Sequence, residues 1–349
     1  MSFSKKFDTY FAAANGYDGF RSYFGEVFRP ENYERLYILK GGPGTGKSTL
    51  MRGVGSHFEA LGFDTERVLC SSDPNSLDGV IIYCGNKKFA VIDGTAPHET
   101  DAKIPGAFDE IINLGEAWHK EKLVSKREEI LNINRRKSTH YKKAYELLKL
   151  AGNFSSQLAS LKSEILPTDF EEFANSILSN LQNKIRGRNT KTKLISSFGK
   201  SGYNTLKKEF SPETRKISVV GMCGTETLFM SYLSNAATRK HVNFTLFPSP
   251  LSPEIIEGIY FEDNDTFVST LMKAQTQIDT SRYADSLNFD STTDFSDSIH
   301  DELLEHAKEE FALASSAHFE LENIYTPAMD FDRISKIREQ IISDIEQTV

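Results

Sequence analysis

The chain has 349 residues, 39% of them hydrophobic and 26% charged, with a formal net charge of -8. That length is enough for about two domains of ordinary size, each burying a core of its own. The negative balance argues against a general polyanion binder, so nucleic acid would need a local basic patch, and no run approaches the roughly 18 apolar residues of a membrane span. Three cysteines, Cys70, Cys84 and Cys223, are too few for a disulfide framework or a zinc site, and the opening residues lack the apolar core of a signal peptide. A cytoplasmic protein is expected.

In chain order, residues 36–40 are apolar and predict a short strand, and residues 49–61 predict a helix. Between them Gly41-Gly42-Pro43-Gly44-Thr45-Gly46-Lys47-Ser48 fits the pattern G-x-x-x-x-G-K-[ST] at every fixed position, in the strand, loop and helix context that gives the pattern its meaning. Glycines let backbone N–H groups turn inward as an anion nest, and the helix that follows adds its positive end. On this reading the loop cradles the phosphates of a nucleotide, with ATP expected. Lys47 reaches the β- and γ-phosphate oxygens, Ser48 offers its hydroxyl to Mg²⁺, and Thr49 bonds the α-phosphate.

Residues 67–70 and 89–92 predict two further strands, which completes a β-loop-α-β-β start to a parallel sheet. The acid that ends the second of them, Asp93, is the expected Mg²⁺-associated carboxylate, with a plain turn acid before Gly94 as the alternative. Gly94 stands where ATP motors often carry a water-activating glutamate, which favours slow hydrolysis, or transfer to another acceptor, over fast mechanical turnover. Asp73 could orient a water or an acceptor hydroxyl, and His98 could sense or protonate the γ-phosphate. Their plainer readings are a turn residue before Pro74 and a solvated imidazole.

Residues 119–165 are charged and helical in texture, and Ala144, Leu147, Ala151, Phe154, Leu158, Leu161 and Ile165 recur at spacings of three and four, as a coiled-coil seam does. Leu304, Ala307, Phe311, Ala314, His318, Leu321 and Tyr325 repeat the pattern, so the two seams can pair within the chain or each pack on its own sheet. Between the seams, Lys184, Arg186, Arg188, Lys191, Lys193, Lys200, Lys207 and Lys208 form a basic junction, read as a solvated linker rather than a nucleic-acid surface. The acidic, Ser/Thr-rich stretch from Tyr283 reads as a loop.

The second half repeats the order of the first. "DPNSLDGVII" from Asp73 matches "SPEIIEGIYF" from Ser252, and "PTDFEEFANSIL" from Pro167 matches "PAMDFDRISKIR" from Pro327. Gly221-Met222-Cys223-Gly224-Thr225-Glu226-Thr227 stands where the first half has its glycine loop, two residues shorter and without the lysine. Glu226 puts a negative charge where phosphate needs a positive one, and the strand that aligns with the Asp93 strand ends in Thr270 rather than an acid.

The runs "GGPGTGKSTLM", "CSSDPNSLDGV" and "VIDGTAPHETDAKIPGAFDEIINLG", then helices, then a second such unit, resemble a bacterial family of tandem P-loop ATPases with no established substrate. The likeness covers nearly the whole chain and is most specific in the first 115 residues. It implies a P-loop NTPase fold in both halves. Relatives commonly keep a Gly-Lys-Ser/Thr loop in the second half as well, and this sequence departs from them there. The fold expected is therefore α/β, with two tandem parallel-sheet units of P-loop type, each followed by long helices. Residues 1–190 form the active unit and 191–349 a degenerate twin. The expected function is Mg²⁺-dependent ATP binding and slow hydrolysis. The alternatives are a small-molecule or nucleoside kinase, and an ATP-dependent switch or scaffold that signals through its helices to a protein partner.

Overall fold

A computed structural model describes residues 8–165, 169–181, 190–206, 212–222, 224–286 and 292–349. Pro167, Cys223, the basic residues Lys184, Arg186, Arg188, Lys207 and Lys208, and the side chains of Leu158, Leu161 and Ile165 lie outside the described residues.

The first half opens with β1 (Thr9–Phe11), the hairpin β2 (Ala13–Gly16) and β3 (Gly19–Ser22), and the short helix α1 (Phe24–Val27). Next come β4 (Arg35–Lys40), α2 (Lys47–Ala60), β5 (Asp64–Leu69), β6 (Leu77–Cys84), β7 (Lys87–Asp93) and β8 (Asp109–Asn113). Three helices follow: α3 (Lys120–Ser125), α4 (Arg127–Ile165) and α5 (Asp169–Leu181). The second half runs β9 (Thr190–Thr192), hairpin β10 (Ser196–Gly199) and β11 (Gly202–Thr205), β12 (Arg215–Val220), α6 (Thr225–Arg239), β13 (Phe244–Pro248), β14 (Ile256–Phe261), β15 (Thr266–Ser269) and β16 (Thr276–Asp279). It closes with α7 (Thr292–Tyr325) and α8 (Phe331–Thr348).

Each half builds a six-stranded sheet, in the order β1-β5-β6-β7-β4-β8 and, read from its matching edge, β9-β13-β14-β15-β12-β16. The strand senses match pair for pair. The sheets are mixed, which corrects the expectation of parallel sheets. In the first, β6 runs antiparallel to both β5 and β7, while the pairs β1–β5, β4–β7 and β4–β8 are parallel. The cause is loop length. Only Gly85 and Asn86 separate β6 from β7, with Gly85 at a positive φ of 63°. A parallel pair needs a crossover of about a dozen residues or more.

The pairing of the long helices is also settled. α4 and α7 pack against each other along an antiparallel seam, in which Ala144 and Leu148 meet Ala307 and Phe311 at one end and Ile133 meets Ala317 and Leu321 at the other. Leu148 is more buried than the expected Leu147, and Ala317 takes the inward place expected of His318. Arg136–Glu320 at 2.5 Å and His140–Glu310 at 2.6 Å flank this seam. The acidic stretch read as a loop supplies the start of α7.

The helix after each long helix then crosses to the other half. α5 puts Phe170, Ala174 and Leu178 into the core around Phe229 and Leu233 of α6. α8 puts Ile334, Ile341 and Ile345 into the core around Leu50, Val54 and Phe58 of α2. The two halves thus exchange terminal helices. They also meet along a local two-fold, where Phe11 and Leu194 exchange backbone hydrogen bonds of 2.8 and 3.2 Å. Such self-complementary contact is the signature of an isologous interface, here within one chain.

Candidate functional site

The glycine loop lies between the carboxyl end of β4 and the first turn of α2, at the end of the strands where open α/β folds bind ligands. Gly44 and Gly46 hold positive φ values of 65° and 82°, a backbone that a side chain would strain, and Gly46 is the residue just before α2. Thr45 is buried and its hydroxyl donates to the Gly42 carbonyl at 2.8 Å. Gly41, Gly42, Pro43 and Gly44 are half-buried, and Thr49 is exposed on the first turn of α2. Lys47 Nζ folds back to donate to the carbonyls of Gly41 at 2.7 Å and Gly42 at 3.0 Å, and lies 3.6 Å from Asp93 Oδ2. Ser48 Oγ accepts from the Leu77 N–H at 2.9 Å, which ties the loop to the start of β6.

Parallel pairing sets Asp93 opposite Leu39, directly before the loop. Its Oδ1 accepts from the N–H and hydroxyl of Thr95 at 2.8 and 2.6 Å, an Asx-type turn that fixes the carboxylate. Burial pushes this carboxyl above its ordinary range against the opposing pull of Lys47 and Thr95. Asp73 sits on the segment after β5, 3.3 Å from Lys200 Nζ of the other half. His98 is buried rather than solvated: it stacks on Phe24 at 4.4 Å, and its Nε2 is 2.9 Å from Asp78 Oδ2. The structure thus brings Lys47, Ser48 and Asp93 together at the loop, while His98 reaches that neighbourhood only through Asp78. Asp78 was missed in the sequence. Its signal was there, because the matched runs share an acid before a glycine, and the twin position is the buried Glu257. Burial raises that carboxyl to about 8, with Ser196 Oγ donating to it at 2.7 Å.

The largest contribution invisible to sequence reading comes from the second half. A Cβ on Gly44 would stand 2.7 Å from Thr326 Oγ1 and 3.2 Å from the Glu322 carbonyl, and one on Gly42 would stand 3.5 Å from the Tyr325 ring. The end of α7 therefore covers the loop. The imidazole of His318, 3.6 Å away, is the main influence that holds the Glu322 carboxyl below its ordinary range. The backbone of α7 at Glu322 thus stands directly against the nest. Hairpin β10–β11 comes in beside it, with Gly199 against the Ser71 and Ser72 carbonyls. Residues 190–206, part of the junction read as a solvated linker, are instead strands whose Lys191, Lys193 and Lys200 pair with Glu262, Glu66 and Asp73. Glu262 of the same half, and Glu66 and Asp73 of the first half, draw these lysines in.

The corresponding loop before α6 is closed from within. Gly224 keeps the left-handed turn at φ 78°, but Thr225 begins the helix in place of lysine, and a Cβ on Gly221 would meet Glu226 Oε2 at 2.6 Å. That oxygen is buried and finds no hydrogen-bond partner among the described residues.

The first loop suits a phosphate ester: left-handed glycines keep its inner face clear of side chains, and Lys47 spends its protons on loop carbonyls that an anion could replace. For a divalent cation, Ser48 and Asp93 supply one hydroxyl and one carboxylate. Among the described residues no group of three or more His, Cys, Asp or Glu could cage a metal. This donor set fits Mg²⁺, which takes most of its ligands from phosphate and water. No helix among the described residues is long and apolar enough to cross a membrane. Comparison with protein-family models, with curated proteins and with solved structures finds no match.

Proposed function

We propose that the chain is a Mg²⁺-dependent P-loop NTPase that binds ATP in the first half and hydrolyses it slowly, and that the second half binds no nucleotide. One observation carries this reading: Lys47 begins a helix behind two left-handed glycines and faces a strand-end carboxylate, Asp93, on the neighbouring parallel strand. The resemblance to tandem P-loop ATPases supports it. The loop N–H groups would hold the phosphates and Lys47 would neutralise charge at their outer end. Ser48 and Asp93 would hold Mg²⁺, which supplies charge neutralisation on the phosphate oxygens when bound. No acid follows Asp93, so the water must be oriented from elsewhere, and Asp73, after β5, is the carboxylate proposed for that role; slow turnover follows.

The reading is tested by calorimetry with MgATP on the full chain. One site per chain is expected, because Glu226 fills the second loop with negative charge. Two sites, or none, would overturn it. Asp93→Asn should weaken MgATP binding by about tenfold or more and metal-free ATP far less, since the carboxylate acts through the cation. Equal losses with and without Mg²⁺ would make Asp93 structural. A second reading, a nucleotide-dependent switch, is favoured by the lid that the end of α7 forms on the loop. A nucleotide that displaced Glu322 would bear directly on the α4–α7 pair. Tight binding without phosphate release would select it, and release that rises with an added hydroxyl acceptor would indicate a kinase.

A further inference from the structure

We propose that Lys200, supplied by the second half, is a further catalytic residue of the first half's site, a cation brought against the terminal phosphate. The proposal rests on the nucleotide reading above. Lys200 follows Gly199 at the tip of hairpin β10–β11, and the tip is held firmly. β10 is buried throughout, Asn15 Nδ2 donates to the Phe198 carbonyl at 2.8 Å, and a Cβ on Gly199 would stand 3.3 Å from the Ser71 carbonyl. The ammonium lies 3.3 Å from Asp73 Oδ2 and 5.1 Å from the centre of the Phe319 ring, with the side chain 24% exposed. A cation on an apolar ring and out of bulk water acts through a lower dielectric than a solvated one.

The charges around it say what it is for. Besides Asp73, it lies against Phe319, three residues before Glu322 on α7, and the Glu322 carbonyl would stand 3.2 Å from a Cβ on Gly44, so the segment that seats Lys200 is the one that covers the loop. A triphosphate entering there would be repelled by Asp73. Lys47 is committed to the inner end of the loop, and Lys200 is the cation set against Asp73 beside it. The local two-fold supplies an internal control. The first half's hairpin reaches the second half in the same way, its tip held by a 2.9 Å hydrogen bond from the Tyr17 N–H to the Leu251 carbonyl. The residue at that matching tip is Tyr17, whose hydroxyl lies 2.8 Å from His300 Nε2. The tip beside the half with the intact loop carries a lysine, and the matching tip carries a tyrosine.

In the step proposed, a water oxygen forms the new bond to the γ-phosphorus while the bond from that phosphorus to the β–γ bridging oxygen breaks. The electron pair of the broken bond stays on the β-phosphate of ADP. One proton of the water remains on inorganic phosphate and the other passes to solvent. Negative charge builds on the bridging and γ-oxygens, and Lys200 stabilises it there from the opposite half, as cations supplied in trans do in other phosphoryl transfers.

The test uses the full chain with Lys200→Met, which keeps the apolar stem on Phe319, and Lys200→Arg. Lys200→Met should lower kcat by about 10²-fold and change KM by less than about threefold, because the interaction is made in the transition state. It should bind MgADP as the parent does yet lose the gain in affinity that aluminium fluoride confers on MgADP. Lys200→Arg should restore most of both. A parental kcat in Lys200→Met, or equal losses for MgADP with and without aluminium fluoride, would reduce Lys200 to a structural partner of Asp73. Lys47→Ala run alongside separates the two levels. If it abolishes ATP binding while Lys200→Met behaves as the parent, the nucleotide reading stands and this proposal falls; if it leaves ATP binding intact, both fall.

Discussion

Lys47→Ala is expected to lose ATP binding or turnover by a factor on the order of 10² or more while keeping a cooperative fold, because the contribution of that lysine is electrostatic. The loop's shape rests elsewhere, on the left-handed Gly44 and Gly46 and on the 2.8 Å bond from the Thr45 hydroxyl to the Gly42 carbonyl. The price of the substitution falls on Asp93. Burial already raises that carboxyl and Lys47 is the largest influence lowering it, so removing the ammonium raises it further. A carboxyl with a raised folded-state value binds more protons folded than unfolded, so stability declines as pH rises through that window. The melting temperature of Lys47→Ala should therefore lie closest to the parent's below the ordinary carboxylate range and fall behind toward neutral pH. Calorimetric ATP binding and phosphate release equal to the parent's would sink the functional assignment, and a stability gap that widened on acidification would sink the electrostatic account of Asp93.

How much of this was legible beforehand depends on the distance over which each feature is made. The β4, loop, α2 and β7 run is local, and the residues that form it advertise their state: an apolar run, glycines, a helix and an apolar strand ending in Asp93. β6 was passed over as a strand because its residues are buried along nearly the whole of its length, which erases alternation, and because the two-residue Gly85-Asn86 turn was not read as a hairpin signal. The seams showed in their spacing, but spacing alone left open whether they paired with each other or with their own sheets. Lys200 and Glu322 could not be found locally. Each is an ordinary charged residue in sequence, and only the two-fold meeting of the halves carries them more than a hundred residues along the chain to the glycine loop.

That same exchange makes the end of the chain part of the first half's core. A chain ending at Asp330, without α8, is expected to lose both the cooperative stability of the first half and its nucleotide binding. Ile334, Ile341 and Ile345 of α8 are 6%, 2% and 0% exposed in the cluster with Leu50, Val54 and Phe58. Burying each of these side chains contributes about 1.5–3 kcal/mol, against a net stability of about 5–15 kcal/mol for a typical domain. The helix is also seated by polar contacts: its cap Asp330 accepts from the Arg333 N–H at 3.0 Å, Arg333 pairs with Glu116 at 2.6 Å, and Tyr37 of β4 donates to Asp344. Its first turn meets the glycine loop itself, since a Cβ on Gly46 would stand 3.5 Å from the Phe331 ring. Ile341→Ala gives the graded form of the test and should cost about 2–5 kcal/mol in denaturant unfolding, because the site is walled on all sides and cannot collapse. If the truncated chain melts where the parent does and binds MgATP as tightly, α8 is an ornament on the first half, and the exchange of helices contributes nothing to its stability.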